Sequence, residues 1–80
     1  MKAYTLGFET EAKEGLTGWG HKKVTRLWLV KEGQKVEGKT VYSVLGLHRK
    51  ENGDCDGWGH LFESTSLAKT RAWMRENAAN

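Results

Sequence analysis

The 80-residue sequence predicts an α+β fold, a four-stranded antiparallel β-meander with one C-terminal helix packed on one face. Three observations predict it. Apolar and β-branched residues gather in four separate stretches, the first and last alternating with period two, and turn-forming glycines stand between them. After Ser64-Thr65-Ser66 the period becomes that of a helix. No proline interrupts any of these elements. The length suits one domain over residues 1–80 with no linker. So short a chain buries only about 60% of the surface it exposes when unfolded. Its core therefore leans on four Trp, two Tyr and two Phe, each able to bury roughly 150–250 Å².

Residues 3–8 place Tyr4, Leu6 and Phe8 on one face and Ala3, Thr5 and Gly7 on the other, which predicts a half-buried first strand. The acidic stretch 9–15 ends in Gly15 and reads as a loop. It has room for one helical turn, because Glu9 and Lys13 are spaced i,i+4. Residues 22–31 are rich in β-branched and aromatic side chains and form the second strand. Val24, Trp28 and Val30 fall on one face, Leu27 and Leu29 on the other, as in a central strand covered on both sides. Residues 32–39 hold Gly33 and Gly38 and read as a long hairpin end.

Residues 40–48 form the third strand, with Val41, Leu45 and Leu47 on one side and Tyr42 and Val44 on the other. Asn52-Gly53 is a strong hairpin signal. The fourth strand, 58–62, aligns Trp58, His60 and Phe62. Capping hydroxyls at 64–66 introduce a helix over 67–77. Its wheel groups Leu67, Thr70, Met74 and Ala78, with Trp73 at the edge and Lys69 and Arg75 in water.

Gly18-Trp19-Gly20-His21 recurs as Gly57-Trp58-Gly59-His60, although the flanks do not match. Glycine here permits a bulge or tight bend where a large indole folds back onto the sheet. The alternative is that Trp19 and Trp58 form a paired, exposed contact surface.

Several classes drop out. A single cysteine, Cys55, closes no intramolecular disulfide and points to a reducing compartment. The longest run of large apolar residues, Leu27-Trp28-Leu29-Val30, is far short of the roughly 20 residues a membrane helix needs. The first residues, Met1-Lys2-Ala3-Tyr4-Thr5, lack the apolar run of a signal peptide. These features predict a cytoplasmic protein with no membrane partner.

Catalytic and metal patterns are thin. Asn52-Gly53-Asp54-Cys55-Asp56-Gly57, with Glu63 as the last ligand, has the oxygen spacing of a calcium loop. Strands flank it where an EF-hand needs helices, so ordinary turn residues explain it better. His21, His48, His60 and Cys55 offer zinc ligands without a zinc spacing. Cys55 lies between Asp54 and Asp56, and that negative charge disfavours the thiolate a nucleophile requires. No nucleophile elbow, phosphate loop or dinucleotide fingerprint occurs. A thin domain also leaves little room for a small-molecule pocket of roughly 300–1,000 Å³. The expectation is a non-enzymatic protein with no cofactor and no metal.

Charge offers two binding surfaces. The acids cluster at Glu9, Glu11 and Glu14 and at Glu51, Asp54 and Asp56, each group just before a Gly-Trp-Gly-His element. Together with Trp19 and Trp58 as anchors, they would suit a protein partner with a basic, nucleic-acid-binding surface. Lys22, Lys23, Arg26, Arg49 and Lys50 form the alternative, a stripe contacting nucleic acid directly. Against the second, ten acids are interspersed among thirteen Lys and Arg, and the net charge is only +3.

A compact, tryptophan-rich chain with a short sheet, one terminal helix and no catalytic signature resembles small phage-encoded proteins. Among them it resembles the anti-CRISPR inhibitors aimed at type I surveillance complexes. The likeness covers the whole chain in size and architecture and rests on no motif, because these inhibitors share none. It implies stoichiometric binding to a CRISPR effector subunit in the host bacterial cytoplasm, blocking target-DNA access or nuclease recruitment. The positive net charge departs from the strongly acidic inhibitors that mimic DNA, which leaves only local mimicry by the acidic loops.

Overall fold

The structure, a computed structural model, describes residues 4–79. Its elements are β1 (Glu9–Glu11), a 3-10 turn (Trp19–His21), β2 (Lys23–Val36), β3 (Lys39–Arg49), β4 (Cys55–Ser64) and α1 (Leu67–Asn77). The four strands form one antiparallel sheet in the order β1-β2-β3-β4. The predicted α+β meander with a C-terminal helix is the observed fold.

The first strand differs from expectation. Gly7 adopts φ +84°, and the Phe8 N–H donates to the Thr5 carbonyl at 2.9 Å. Those features close a turn inside the stretch 4–8 and leave Leu6 exposed. Ala3, the other end of the expected strand, lies outside the described residues. The sheet ladder instead runs through Glu9–Glu11, where a loop with a helical turn was expected. Thr10 is buried against Leu27, and Glu9 bonds Arg26 across the strands rather than Lys13. Tyr4 and Phe8 still reach the core, meeting edge to face at 5.4 Å.

Two irregularities decide which side chains share a face. In β2, Val24 opposes His48 while Arg26 opposes Leu47, so Thr25 is an extra residue. This bulge turns Val24 to the side of Leu27 and Leu29, and not to that of Trp28 and Val30. In β4, Phe62 opposes Val44 while His60 opposes Leu45, so Leu61 and Phe62 together oppose one position. Phe62 therefore parts from Trp58 and His60 and stacks on Trp73 of α1 at 5.5 Å.

The expected long hairpin end at 32–39 is mostly strand. β2 continues to Val36, past an irregular stretch between Lys31 and Lys35. A two-residue turn, Glu37-Gly38, then reverses the chain with φ of +52° and +76°, the sign pattern of a type I′ hairpin.

α1 spans the expected residues. The Ser66 hydroxyl caps it, accepting from the Lys69 N–H at 3.2 Å. Thr70, Met74 and the following Ala78 are buried against Val24, Leu27, Leu29 and Val44. Gly46 makes this packing possible, since a Cβ there would lie 2.5 Å from Leu61 Cδ1 and 2.9 Å from Val24 Cγ1. Arg71 Nε donates to the Tyr4 carbonyl at 2.7 Å, tying the helix to the N-terminal segment. Among the described residues, no helix is long and apolar enough to cross a membrane.

Candidate functional site

The helix covers only one face of the sheet, so β2 is not buried on both sides as its composition predicts. Directly opposed residues of antiparallel strands point to the same side. The register therefore lays out the open face in three rows. Glu11, Arg26, Leu47 and Trp58 form one row, and Glu9, Trp28, Leu45 and His60 the next. Val30, Ser43 and Glu63 form the third. The middle is apolar: Trp28 and Trp58 meet edge to face at 5.6 Å beside half-buried Val30, Leu45 and Leu47. Trp58 remains 39% exposed.

Charge is divided along this face. Lys23 opposes Arg49 at the end nearest the β3–β4 turn, with Arg26 one row further in. Glu32 and Glu63 stand at the other end. Several of the bases are already engaged. Arg26 Nε donates to Glu9 Oε1 at 2.6 Å. Arg49 Nε reaches Thr25 Oγ1 at 3.3 Å, and Lys22 is bonded to Asp56. Lys23 and Lys50 are exposed. The Lys22 ammonium holds the Asp56 carboxyl below its ordinary range.

The predicted acidic set does not form one surface. Glu9 and Glu11 lie on β1 at one edge of the sheet. Glu51 and Asp54 lie on the connection into β4 and Asp56 at the start of that strand, which is the other edge of the sheet. Glu14 is exposed in the loop after β1. The Asp54 N–H donates to Asn52 Oδ1 at 3.0 Å, which makes this tip an ordinary side-chain-supported turn. The calcium-loop pattern fails on geometry. β4 is extended from Cys55 to Ser64, so Asp56 and Glu63 stand roughly 20 Å apart along the strand.

The two tryptophans of the repeat lie against opposite faces of β4. Trp58 belongs to the open face. Trp19, 60% exposed, sits on the 3-10 turn and folds over Gly59 and His48 on the helix side. A Cβ on Gly59 would lie 3.2 Å from Trp19 Cζ3, and one on Gly18 only 2.1 Å from His48 Nε2. Glycine at both places is what lets the indole lie down. The Trp19 N–H donates to His48 Nε2 at 3.2 Å. His48 Nδ1 meets the Gly46 carbonyl at 2.9 Å, so the hydrogen bonds place the ring proton on Nδ1. Both indoles line a small cleft with Lys22 and Asp56.

The four residues that lack a zinc spacing do not converge either: His48 is buried on the helix side, His60 faces the open side, and His21 and Cys55 are exposed elsewhere. A different group does. One ligand atom from each of Glu32, His60 and Glu63 lies within 4.8 Å of the others. Glu32 Oε2 accepts from Ser43 Oγ at 2.7 Å and lies 2.5 Å from His60 Nε2. The Ser43 hydroxyl first, and His60 second, hold the Glu32 carboxyl below its ordinary range. These three line a cleft of about 720 Å³ between the β2–β3 arm and the end of β4. So much space was not expected of a thin domain; it lies outside the core. In a regular strand His60 and Glu63 would point to opposite faces, and the Leu61-Phe62 bulge brings them together. The sequence signal for it is that adjacent pair of large apolar residues, both of which need the core.

No family model, curated protein or solved structure matches the chain.

Proposed function

We propose that this is a non-enzymatic inhibitor that docks a protein partner on the open sheet face, the partner being an effector subunit of a type I CRISPR surveillance complex. The reading rests on one observation: a patch of Trp28, Trp58, Leu45 and Leu47 that no part of the chain packs upon among the described residues. Tryptophan is enriched in binding hot spots, and a half-dry aromatic patch ringed by charge has the anatomy of an interface centre. The acidic end, Glu32 and Glu63, favours a basic partner surface of the kind that holds nucleic acid, and occupying it would block target DNA. The same acids oppose a direct nucleic-acid role, because phosphates laid along the face would run onto like charge.

The test is a titration of purified type I surveillance complex with the protein, reading target-DNA binding. The expected result is stoichiometric loss of DNA binding by the natural sequence and none by Leu47→Asp or Trp58→Ala, with circular dichroism unchanged. Inhibition that survives both substitutions moves the interface off this face. A complex that binds DNA normally at tenfold excess of the protein removes the inhibitor reading. If the protein itself shifts DNA with a log–log salt slope near −3 to −4, Lys22, Lys23, Arg26, Arg49 and Lys50 become the site.

A further inference from the structure

The geometry points to a binding site for a divalent first-row transition ion, formed by Glu32, His60 and Glu63 at the acidic end of the sheet. The inference does not depend on the docking reading. Three features carry it together. The first is convergence from separate strands: Glu32 comes from β2, His60 and Glu63 from β4. A β-bulge turns the last two onto one face, and bulges recur where a strand must re-aim a side chain beside a functional site. The second is the charge of the cleft. Its lining holds two carboxylates, one imidazole and no lysine or arginine. His60 lies 2.5 Å from Glu32, and the Glu32 and Glu63 carboxylates, within 4.8 Å of each other, repel. A dication resolves that repulsion.

The third feature is support behind the ligands. Ser43 is fully buried, and its hydroxyl donates to Glu32 at 2.7 Å. That bond fixes the carboxylate from behind, as outer-shell partners of metal ligands commonly do. A tetrahedral ion with bonds of about 2.0–2.2 Å holds its ligand atoms roughly 3.3 Å apart. The three atoms all lie within 4.8 Å of one another, and an ion between them requires the 2.5 Å Glu32–His60 contact to open to that spacing. Three protein ligands leave a fourth position facing the cleft, the arrangement of an exchangeable rather than a closed structural site. One imidazole with two carboxylates suits zinc and its neighbours, and calcium or magnesium would prefer oxygen throughout.

The experiment is calorimetric titration of the full chain with zinc chloride near pH 7.5, in a Cys55→Ser background that removes the exposed thiol. One zinc per chain is expected. His60→Ala and Glu63→Gln, both exposed positions, should each weaken binding at least tenfold while circular dichroism stays unchanged. His21→Ala should leave it unaltered. Titration with cobalt(II) should give visible absorption bands of low-coordinate intensity, and these should vanish in His60→Ala. Lack of binding at millimolar zinc overturns the site. So does binding that survives both His60→Ala and Glu63→Gln, or that follows His21.

Discussion

The two faces of this sheet are built from the same strands and nearly the same residue types, yet only one is a core. β2 and β3 send Val24, Leu27, Leu29 and Val44 to the helix side, and Trp28, Val30, Leu45 and Leu47 to the open side. The helix side also has Gly46, Gly59 and the Thr25 bulge. The glycines remove side chains where Leu61 and Trp19 must enter, and the bulge adds Val24 to the apolar set. The open side has no such gaps, and its large side chains fill the space among themselves. It also carries charged residues in every row. Apolar content does not decide which face becomes the core. Room for a partner element does.

The largest test of that contrast is a matched pair of truncations. Leu29 is fully buried beneath α1, so Leu29→Ala should lower unfolding stability by about 2–5 kcal/mol. Leu45, half-buried on the open face, should cost about 1 kcal/mol or less on truncation. Chemical denaturation measures both. Equal losses would mean that Leu45 is packed as fully as Leu29, and the contrast between the faces would collapse.

The parts legible in the sequence and the parts that were not divide along the same physical line. Helix boundaries were legible because Ser66 caps locally and Leu67 to Met74 repeat at 3.6. The Asn52-Gly53 turn was legible for the same reason, local chemistry. Face assignment was legible only where the strand is regular, as from Val41 to Leu47. At Val24 and Phe62 a single extra residue reversed it; at Phe62 the adjacent apolar pair Leu61-Phe62 marks the bulge, while at Val24 nothing local does. The Tyr4-Leu6-Phe8 alternation misled because Gly7 bends the chain, while the polar stretch after it has no apolar pattern and still pairs through its backbone. Of the candidate residues, Trp58 is exposed, as the alternative reading of its motif expected, but not paired on one face with Trp19. The convergence of Glu32 with His60 and Glu63 was not legible, since it follows from a bulge and from pairing across three strands.

A smaller effect is expected where the chain folds over the end of the core face. Gly18→Ala puts a methyl into His48, which must swing aside and release the Trp19 N–H. Overpacking of this kind costs typically about 1–3 kcal/mol. Trp19 fluorescence should shift toward that of a fully solvated indole, while Trp58, on the opposite face, keeps its environment. If His48→Ala restores stability to the Gly18→Ala chain, the clash is the cause. Without that rescue, the loss lies in the loop backbone and not in the face.

The smallest effect separates the two faces by pH. Although buried His48 lies on the same side, the apolar cluster of Leu27, Leu29 and Met74 contains no carboxylate, so its packing is indifferent to the protonation of one. The open face is not. Glu32 has its folded-state carboxyl held below the ordinary value of about 4.5, first by the Ser43 hydroxyl and then by His60. A lowered folded value means the unfolded chain takes up the proton first as pH falls. The resulting stabilisation is complete above about 4.5 and disappears as pH drops through the lower folded value. With the carboxylate still partly in water, its size should stay under about 1 kcal/mol. Glu32→Gln should therefore flatten the acid limb of a stability–pH curve, leaving its slope above pH 5 unaltered. Leu29→Ala should lower the whole curve without changing its shape. If the acid limb keeps its slope in Glu32→Gln, the pH sensitivity belongs elsewhere. Asp56, lowered by Lys22 on the other side of the molecule, is then the carboxylate to substitute next.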